Sequence, residues 1–322
     1  MNRLAVYILM ASIVVINAGV FGFIFSNQAQ ALPTGVNTVN QSSETKPASQ
    51  VYASYKDPIG RPMDVFVTAE NMYVTDTNNQ KVHVFNLKGE QLFSFGEMGY
   101  DPGQFEFPYG ISVDTSGNIY VADMYHSKVS IFDEQGKFIK YFAEEYTENG
   151  TFKSPAGLRI IDEKVYITDV EAHKVFVFTL AGDLLLEVGE PGSEDGQLSA
   201  PNAVTVDKDG NIYVVDTVNH RIQLFDKEGT FLRGIGEQTP GYNDGRLVNP
   251  RGIGIDSKGK LYVVSNMTDY VEVYDLEGNH LYSVGGNGQE PGKLYLPNGL
   301  FIDSKDNVYV TDTLNLRISV FR

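Results

Sequence analysis

The stretch "PNAVTVDKDGNIYVVDTVNHRIQLFDKEGTFLRGIG", residues 201–236, holds four short runs rich in Val, Ile, Tyr, Leu and Phe. "NAVTVD" reads as a strand and "KDGN" as a turn; "IYVVD" is a second strand. "RIQLF" follows "TVNH" as a third, and "TFLRGIG" follows "DKEG" as a fourth. Alternating β-formers separated by Asp, Asn and Gly favour antiparallel hairpins, because those residues reach the backbone angles that tight turns need. The pattern recurs along the chain. Opening prolines stand at Pro62, Pro108, Pro155, Pro201, Pro250 and Pro297, at intervals of 46, 47, 46, 49 and 47. Tyr73, Tyr120, Tyr166, Tyr213, Tyr262 and Tyr309 keep step with them. Such a period belongs to propeller blades, and no stretch after residue 50 keeps helical periodicity. The expected fold is all-β: a six-bladed β-propeller of four-stranded antiparallel blades, over residues 51–322.

The sixth unit ends at Arg322 with three strands. An unfinished blade would leave an open edge. The segment "VYASYKDPIGRP", 51–62, resembles a fourth strand leading into a new proline. Residues 51–56 are therefore expected to complete the last blade beside residues 317–322.

The chain has 322 residues, 42% of them hydrophobic, with no cysteine and a net charge of −16. Disulfides, thiolate metal sites and cysteine nucleophiles are excluded. The negative field repels phosphate backbones, so nucleic acid is not an expected partner.

Residues 4–25, "LAVYILMASIVVINAGVFGFIF", are uncharged. As a helix they span ~33 Å, enough for the ~30 Å core of a bilayer. Arg3 precedes them, and the first charge afterwards is Glu44. The positive-inside rule places residues 1–3 in the cytoplasm and the propeller outside it. The length favours a retained single-pass transmembrane signal anchor; the alternative is a signal peptide cleaved after Ala31, in "AQA", which would leave a secreted or periplasmic protein. Residues 26–50 read as a flexible linker.

"DTVNHRI" (216–222) and "DTLNLRI" (312–318) resemble the NHL repeat, and six in-phase copies carry the resemblance over about residues 51–322. It implies a six-bladed propeller and, mostly, binding or scaffolding roles. The wider family also includes amidating lyases, so fold alone does not settle function.

Each second strand ends in a residue that has a partner five positions on: Asp76 and Lys81, Asp123 and Lys128, Asp169 and Lys174, Asp216 and Arg221, Asp312 and Arg317. In the fifth unit both change, to Ser265 and Tyr270. Joint loss is what a salt bridge predicts, since one partner alone leaves an uncompensated charge. Five structural salt bridges are expected, worth ~0.2–1 kcal/mol each if exposed.

His126, His173 and His220 sit on the same kind of loop in consecutive blades. Equivalent loops on a six-fold ring should lie ~10 Å or more apart, given strand spacings of ~4.8 Å. Zinc needs its ligand nitrogens within ~4 Å of one another. A shared zinc is therefore not expected, and His83 and His280 read as packing or surface residues. The amidating-lyase resemblance implies histidines just after the opening prolines, but Met63, Tyr109, Ala156, Asn202, Arg251 and Asn298 stand there. A lactonase-like comparison implies axial calcium instead, for which Asp64, Asn202 and Asn298 would supply a weak set. Calcium or zinc at the axis thus stays open. "DKDGN" (207–211), "DTSGN" (114–118) and "DSKDN" (303–307) read as hairpin turns rather than calcium loops. Gly110, Gly157, Gly252 and Gly299 are attributed to backbone crowding near the ring centre.

Blade connections and second-to-third-strand loops share one face of a propeller. The connections here are acidic, with Glu97, Asp101, Glu144, Glu145, Glu194 and Asp195 among others. Such a rim suits a basic protein or a cation. The pocket floor would be formed by Tyr109, Asn202, Arg251 and Asn298, with Arg159 just inside. His220 stands on the same face, and Arg159 and Arg251 would hold a ligand carboxylate. Two readings follow. One is a membrane-tethered module that binds a protein partner or small ligand on the acidic loop face. The other is a metal-dependent lyase or lactone hydrolase using the central pocket.

Overall fold

The computed structural model describes residues 47–51, 57–239, 242–243 and 245–322. The anchor expected at 4–25 and most of the linker lie outside the described residues. No helix among the described residues is long and apolar enough to cross a membrane.

Six four-stranded antiparallel sheets follow one another along the chain. The first blade runs Pro62–Val67, Asn71–Asp76, Lys81–Asn86 and Gln91–Phe95. The fourth runs Pro201–Val206, Ile212–Asp216, Arg221–Phe225 and Phe231–Ile235, within a residue or two of the hairpins read from its turns. One short α-helix, Glu144–Glu148, interrupts the connection between the second and third blades.

The turns explain the recurring tyrosine in four of the six units. In "DKDGN" the Asp207 carboxylate accepts from the Asp209 and Asn211 amides at 2.9 Å each, and Gly210 takes φ 88°. The buried Tyr213 hydroxyl then donates to Asp207 Oδ2 at 3.3 Å. Tyr262 and Tyr309 do the same to Asp256 and Asp303, at 3.2 Å each. A buried phenol needs such a partner, and the turn next door supplies it.

The core lies between blades rather than at the centre. One cluster joins the first and second blades through Val82, Val84, Phe105, Ile111 and Val121. Another joins the sixth to the first through Val65, Val74, Tyr309, Ile318 and Val320. Central strands such as Ile119–Asp123 are buried along their whole length because both faces meet a neighbouring blade.

The ring closes through the N-terminal segment, but with an earlier strand than composition suggests. Pro47–Val51 pairs antiparallel with Arg317–Phe321, with Val51 opposite Ile318 and Ser49 opposite Val320. Residues 52–56, also expected to pair, lie outside the described residues. "PASQV" reads as linker because it is polar and starts with proline. The outermost strand of a blade tolerates both, since one of its edges needs no partner.

In blades one to five the inner strand carries a bulge just after its proline, as between Pro108 and Ile111 or Pro201 and Val204. A bulge re-aims side chains, and here it turns the two residues after each proline toward the axis. Backbones are then crowded. A Cβ on Gly157 would stand 2.4 Å from the Asn202 carbonyl oxygen, and one on Gly110 2.2 Å from that of Ala156.

Candidate binding face

The aspartate that ends the second strand in five blades braces backbone in every one, and holds an arginine in two. Asp76 accepts from the Gly60 and Arg61 amides at 2.6 and 2.8 Å. Asp123 accepts from Glu106 and Phe107 at 2.8 and 2.9 Å, and Asp169 from Lys153 and Ser154 at 2.8 and 3.0 Å. Asp216 takes the Ser199 amide and Asp312 the Tyr295 amide, each at 2.7 Å. Each carboxylate thus pins the segment that opens its own blade. In the fifth blade Ser265 Oγ accepts from the Val248 amide at 2.9 Å. The brace survives there as a neutral hydroxyl.

The five expected salt bridges therefore divide. Every aspartate faces its Lys or Arg across the ladder, yet contact follows residue type. Arg221 Nε donates to Asp216 Oδ2 at 2.8 Å, and Arg317 Nε to Asp312 Oδ2 at 2.7 Å. Lys81 instead meets Asp57 at 2.9 Å, Lys174 meets Glu187 at 2.5 Å, and Lys128 lies 4.2 Å over the Tyr141 ring. Arginine carries a donor partway along its side chain and a fork beyond it. Arg221 can therefore hold Asp216 while its tip donates to the Ser193 and Glu194 carbonyls at 2.9 and 2.7 Å. Lysine has donors only at its end, which goes to an acid or ring farther out.

The rest of "DTVNHRI" has structural tasks too. Thr217 donates to the Pro250 carbonyl at 2.9 Å, and Asn219 bridges Asp216 and the Gly192 carbonyl at 2.8 and 2.9 Å. His220, in a left-handed conformation with φ 56°, accepts the Asn249 amide at Nδ1, 3.1 Å away. His173 accepts the Ala200 amide the same way at 3.0 Å. Both rings strap one blade to the opening of the next. Burial holds the His220 pKa below its ordinary value, which favours the neutral ring that accepts at Nδ1. His126 turns to Asp123 at 3.0 Å. Each of the three loop histidines thus serves its own loop, His173 and His220 by the same contact. Of the remaining two, His83 is fully buried against Asp76 at 3.1 Å, and His280 packs against Glu272 at 2.7 Å.

At the axis Tyr109, Asn202, Arg251, Asn298 and Arg159 gather around one small cavity. The cavity measures about 10 Å³, room for roughly one water. The Tyr109 hydroxyl lies within hydrogen-bond distance of Asn202 Oδ1 and of Asn298 Oδ1, the latter at 2.8 Å, and its single proton serves one of them. Arg159, expected to hold a ligand, holds Asp64 instead. Its guanidinium grips that carboxylate at 2.7 and 2.9 Å and donates to the Ile111 and Leu300 carbonyls at 3.2 and 2.9 Å. Asp64 stands where other blades carry Gly110, Gly157, Gly252 and Gly299, and this bond ties the first, second, third and sixth blades together. The set Asp64, Asn202 and Asn298 does not fit calcium, which takes ~6–8 oxygen ligands. The one carboxylate lining the cavity is paired with arginine, and both amide oxygens face a phenol.

Arg251 lines the cavity with its Nε buried and unpartnered. Arg61, absent from the residues expected at this centre, is held below its ordinary pKa, first by burial and then by the charge of Arg251. The signal was present, since Arg61 is the only charge in the slot before the opening prolines, otherwise Phe107, Ser154, Ala200, Asn249 and Leu296. Phe107 in that slot stacks on Tyr109 and Tyr125, with centroids 6.4 and 4.6 Å apart.

Around this centre the loops expose large apolar side chains: Met98 (72%), Tyr100 (75%), Val218, Met267, Leu314 and Leu316. Glu97, Asp101, Glu144, Glu145, Glu194 and Asp195 are exposed among them.

Residues 198–225 match the model of the NHL repeat, and residues 68–145 that of the SMP-30/gluconolactonase/LRE-like region. A segment of 43 residues is 56% identical to the B-box type zinc finger protein ncl-1 of Caenorhabditis elegans, covering 13% of this chain and 5% of that protein. One of 49 residues is 51% identical to protein brain tumor of Drosophila melanogaster, covering 15% and 5%. The chain thus spans about a twentieth of these relatives. Among solved structures, a streptogramin B lyase superposes with TM-score 0.59 at 11% identity, over 85% of this chain and 96% of that one. A catalytically inactive form of virginiamycin B lyase from Staphylococcus aureus, with quinupristin, gives 0.59 at 14% identity, over 84% and 82%. These likenesses are of fold.

Proposed function

We propose that the propeller is a protein-binding module that works outside the cytoplasm, tethered by its N-terminal segment, and engages its partner through the loop face. The observation that carries this reading is the placement of exposed apolar side chains. Met98, Tyr100, Val218, Met267, Leu314 and Leu316 all stand on loops of this face. Met98 and Tyr100 are the most exposed large apolar side chains among the described residues, and six such groups on one face within an acidic surround suit a surface that is covered in use. The exposed acids would steer a partner with basic groups. The loops are also held stiffly, by the aspartate braces and by Arg221 and Arg317, so little ordering entropy opposes binding. Catalysis finds less support, because the polar groups at the axis are largely committed to one another.

The test uses a photo-reactive amino acid placed in the full-length chain, in the cells that make it. Positions 100 and 314 on the face should each yield a discrete adduct with the same protein. Positions 139 and 185, on outer strands and about as exposed as Leu314, should not. Equal labelling from both sets, or none from the face, would sink the reading.

A further inference from the structure

The first two blades leave a cleft between them at the end of the strands opposite the loop face, where their hairpin turns meet. It measures about 930 Å³, within the ~300–1,000 Å³ of small-molecule sites. Its lining includes Glu70, Tyr73, Phe93, Val113, Asp114 and Glu134, and no Lys, Arg or His. Tyr73 sets this cleft apart. Its counterparts Tyr120, Tyr213, Tyr262 and Tyr309 each donate to the aspartate of their own turn, at 3.2–3.5 Å. In the first blade Thr68 holds that slot: its amide donates to the Asn71 carbonyl as the Asp114 amide does to that of Asn118. The Thr68 hydroxyl is committed to the Asn71 backbone, at 3.0 and 3.2 Å. Tyr73 is only 4% exposed, and among the described residues its hydroxyl has no hydrogen-bond partner. A buried phenol ordinarily has one.

We infer that this cleft binds a small organic cation, an ammonium group carried on an apolar body, held by the Tyr73 hydroxyl together with Glu70 and Glu134. An ammonium donates hydrogen bonds and accepts none, so a phenol oxygen and carboxylates both suit it. Glu70 and Glu134 are exposed, and neither is ion-paired among the described residues. Glu134 gives Oε1 to the Gln135 side-chain amide at 2.7 Å and keeps its other oxygen. Asp114 is occupied by its own turn, at 2.7–2.9 Å, and contributes charge rather than a contact. Three carboxylates without a cation among them attract a positive ligand and turn an anion away. The half-buried Phe93 and the buried Val113 supply an apolar wall, and an aromatic ring adds attraction for an ammonium beside it. The site is separate from the loop face and does not depend on what binds there.

Calorimetric titration of the full-length chain in detergent uses phenethylamine, phenethyl alcohol, 3-phenylpropionate and methylamine. Phenethylamine should bind saturably. The alcohol lacks the charge and methylamine the ring, and each should bind at least about tenfold more weakly; the acid should not bind. Glu70→Gln, Glu134→Gln and Tyr73→Phe should each weaken phenethylamine by about threefold to tenfold, the weight of one hydrogen bond. Tyr73→Phe should nevertheless leave the thermal midpoint of the unliganded chain unchanged, because its hydroxyl holds nothing there. Tyr213→Phe, whose hydroxyl holds Asp207, should lower the midpoint and leave phenethylamine binding intact. Failure of phenethylamine to saturate, alcohol or methylamine as tight as phenethylamine, or unchanged binding by Tyr73→Phe would each overturn the site. A midpoint loss in Tyr73→Phe equal to that in Tyr213→Phe would make the phenol a structural group and overturn it as well.

Discussion

By sequence, His220 resembles a group for chemistry, and the neighbouring arginine one of five equivalent cations. In the folded chain His220 is an acceptor for the next blade's amide, and Arg221 is one of two staples that lysine cannot imitate. The difference should be measurable. Arg221→Ala strips a buried pair and leaves Asp216 uncompensated, which should cost about 3–5 kcal/mol. Lys128→Ala removes a surface contact with a ring, and should cost under about 1 kcal/mol. Chemical unfolding followed by near-ultraviolet tyrosine dichroism would compare them. Similar losses would return Lys128 to the status of a brace. The residue types and their spacing were legible, and so was the opposition of each pair across the ladder. Which partner each cation chose was not, because that depends on acids such as Asp57 and Glu187 brought in by other strands.

Among the elements, the closing strand shows how a correct topological argument can miss a boundary. A three-stranded last blade demands a partner for Arg317–Phe321, and the segment before the first proline is the available one. The apolar "VYASYK" is the natural choice by composition, yet the polar Pro47–Val51 makes the ladder. An outer strand faces solvent, so composition discriminates poorly there. A chain beginning at residue 52 should lose ~2–5 kcal/mol, on ladder bonds worth ~0.5–1.5 kcal/mol each. Its freed edge should promote self-association. Light scattering and unfolding of the truncated chain against the full chain test both; unchanged behaviour would show that the strand adds nothing to closure. The recurring glycines, by contrast, follow the reason the sequence suggests, since a Cβ at Gly157 would meet the next blade's backbone.

For the whole molecule, the question is what holds six similar blades in one ring around an almost filled centre. Apolar clusters join neighbours, while Asp64 and Arg159 cross between blades that are not adjacent. Arg159→Leu alone should be strongly destabilising, by about 3–5 kcal/mol, because it leaves a buried carboxylate. Adding Asp64→Gly, which restores the residue found at the same place in four sister blades, should recover part of that loss, with a coupling of ~0.5–3 kcal/mol. Strictly additive losses would mean that the two side chains act independently. The sequence by itself determined the blade number, the hairpins, the shared loop face and the membership of the axial layer, because these follow from a period, from turn chemistry and from position relative to each proline. Only the tertiary structure decided which of the axial groups are occupied. Arg159 reaches Asp64 across 95 positions and the Leu300 carbonyl across 141. No local pattern records which charge a distant blade will neutralise.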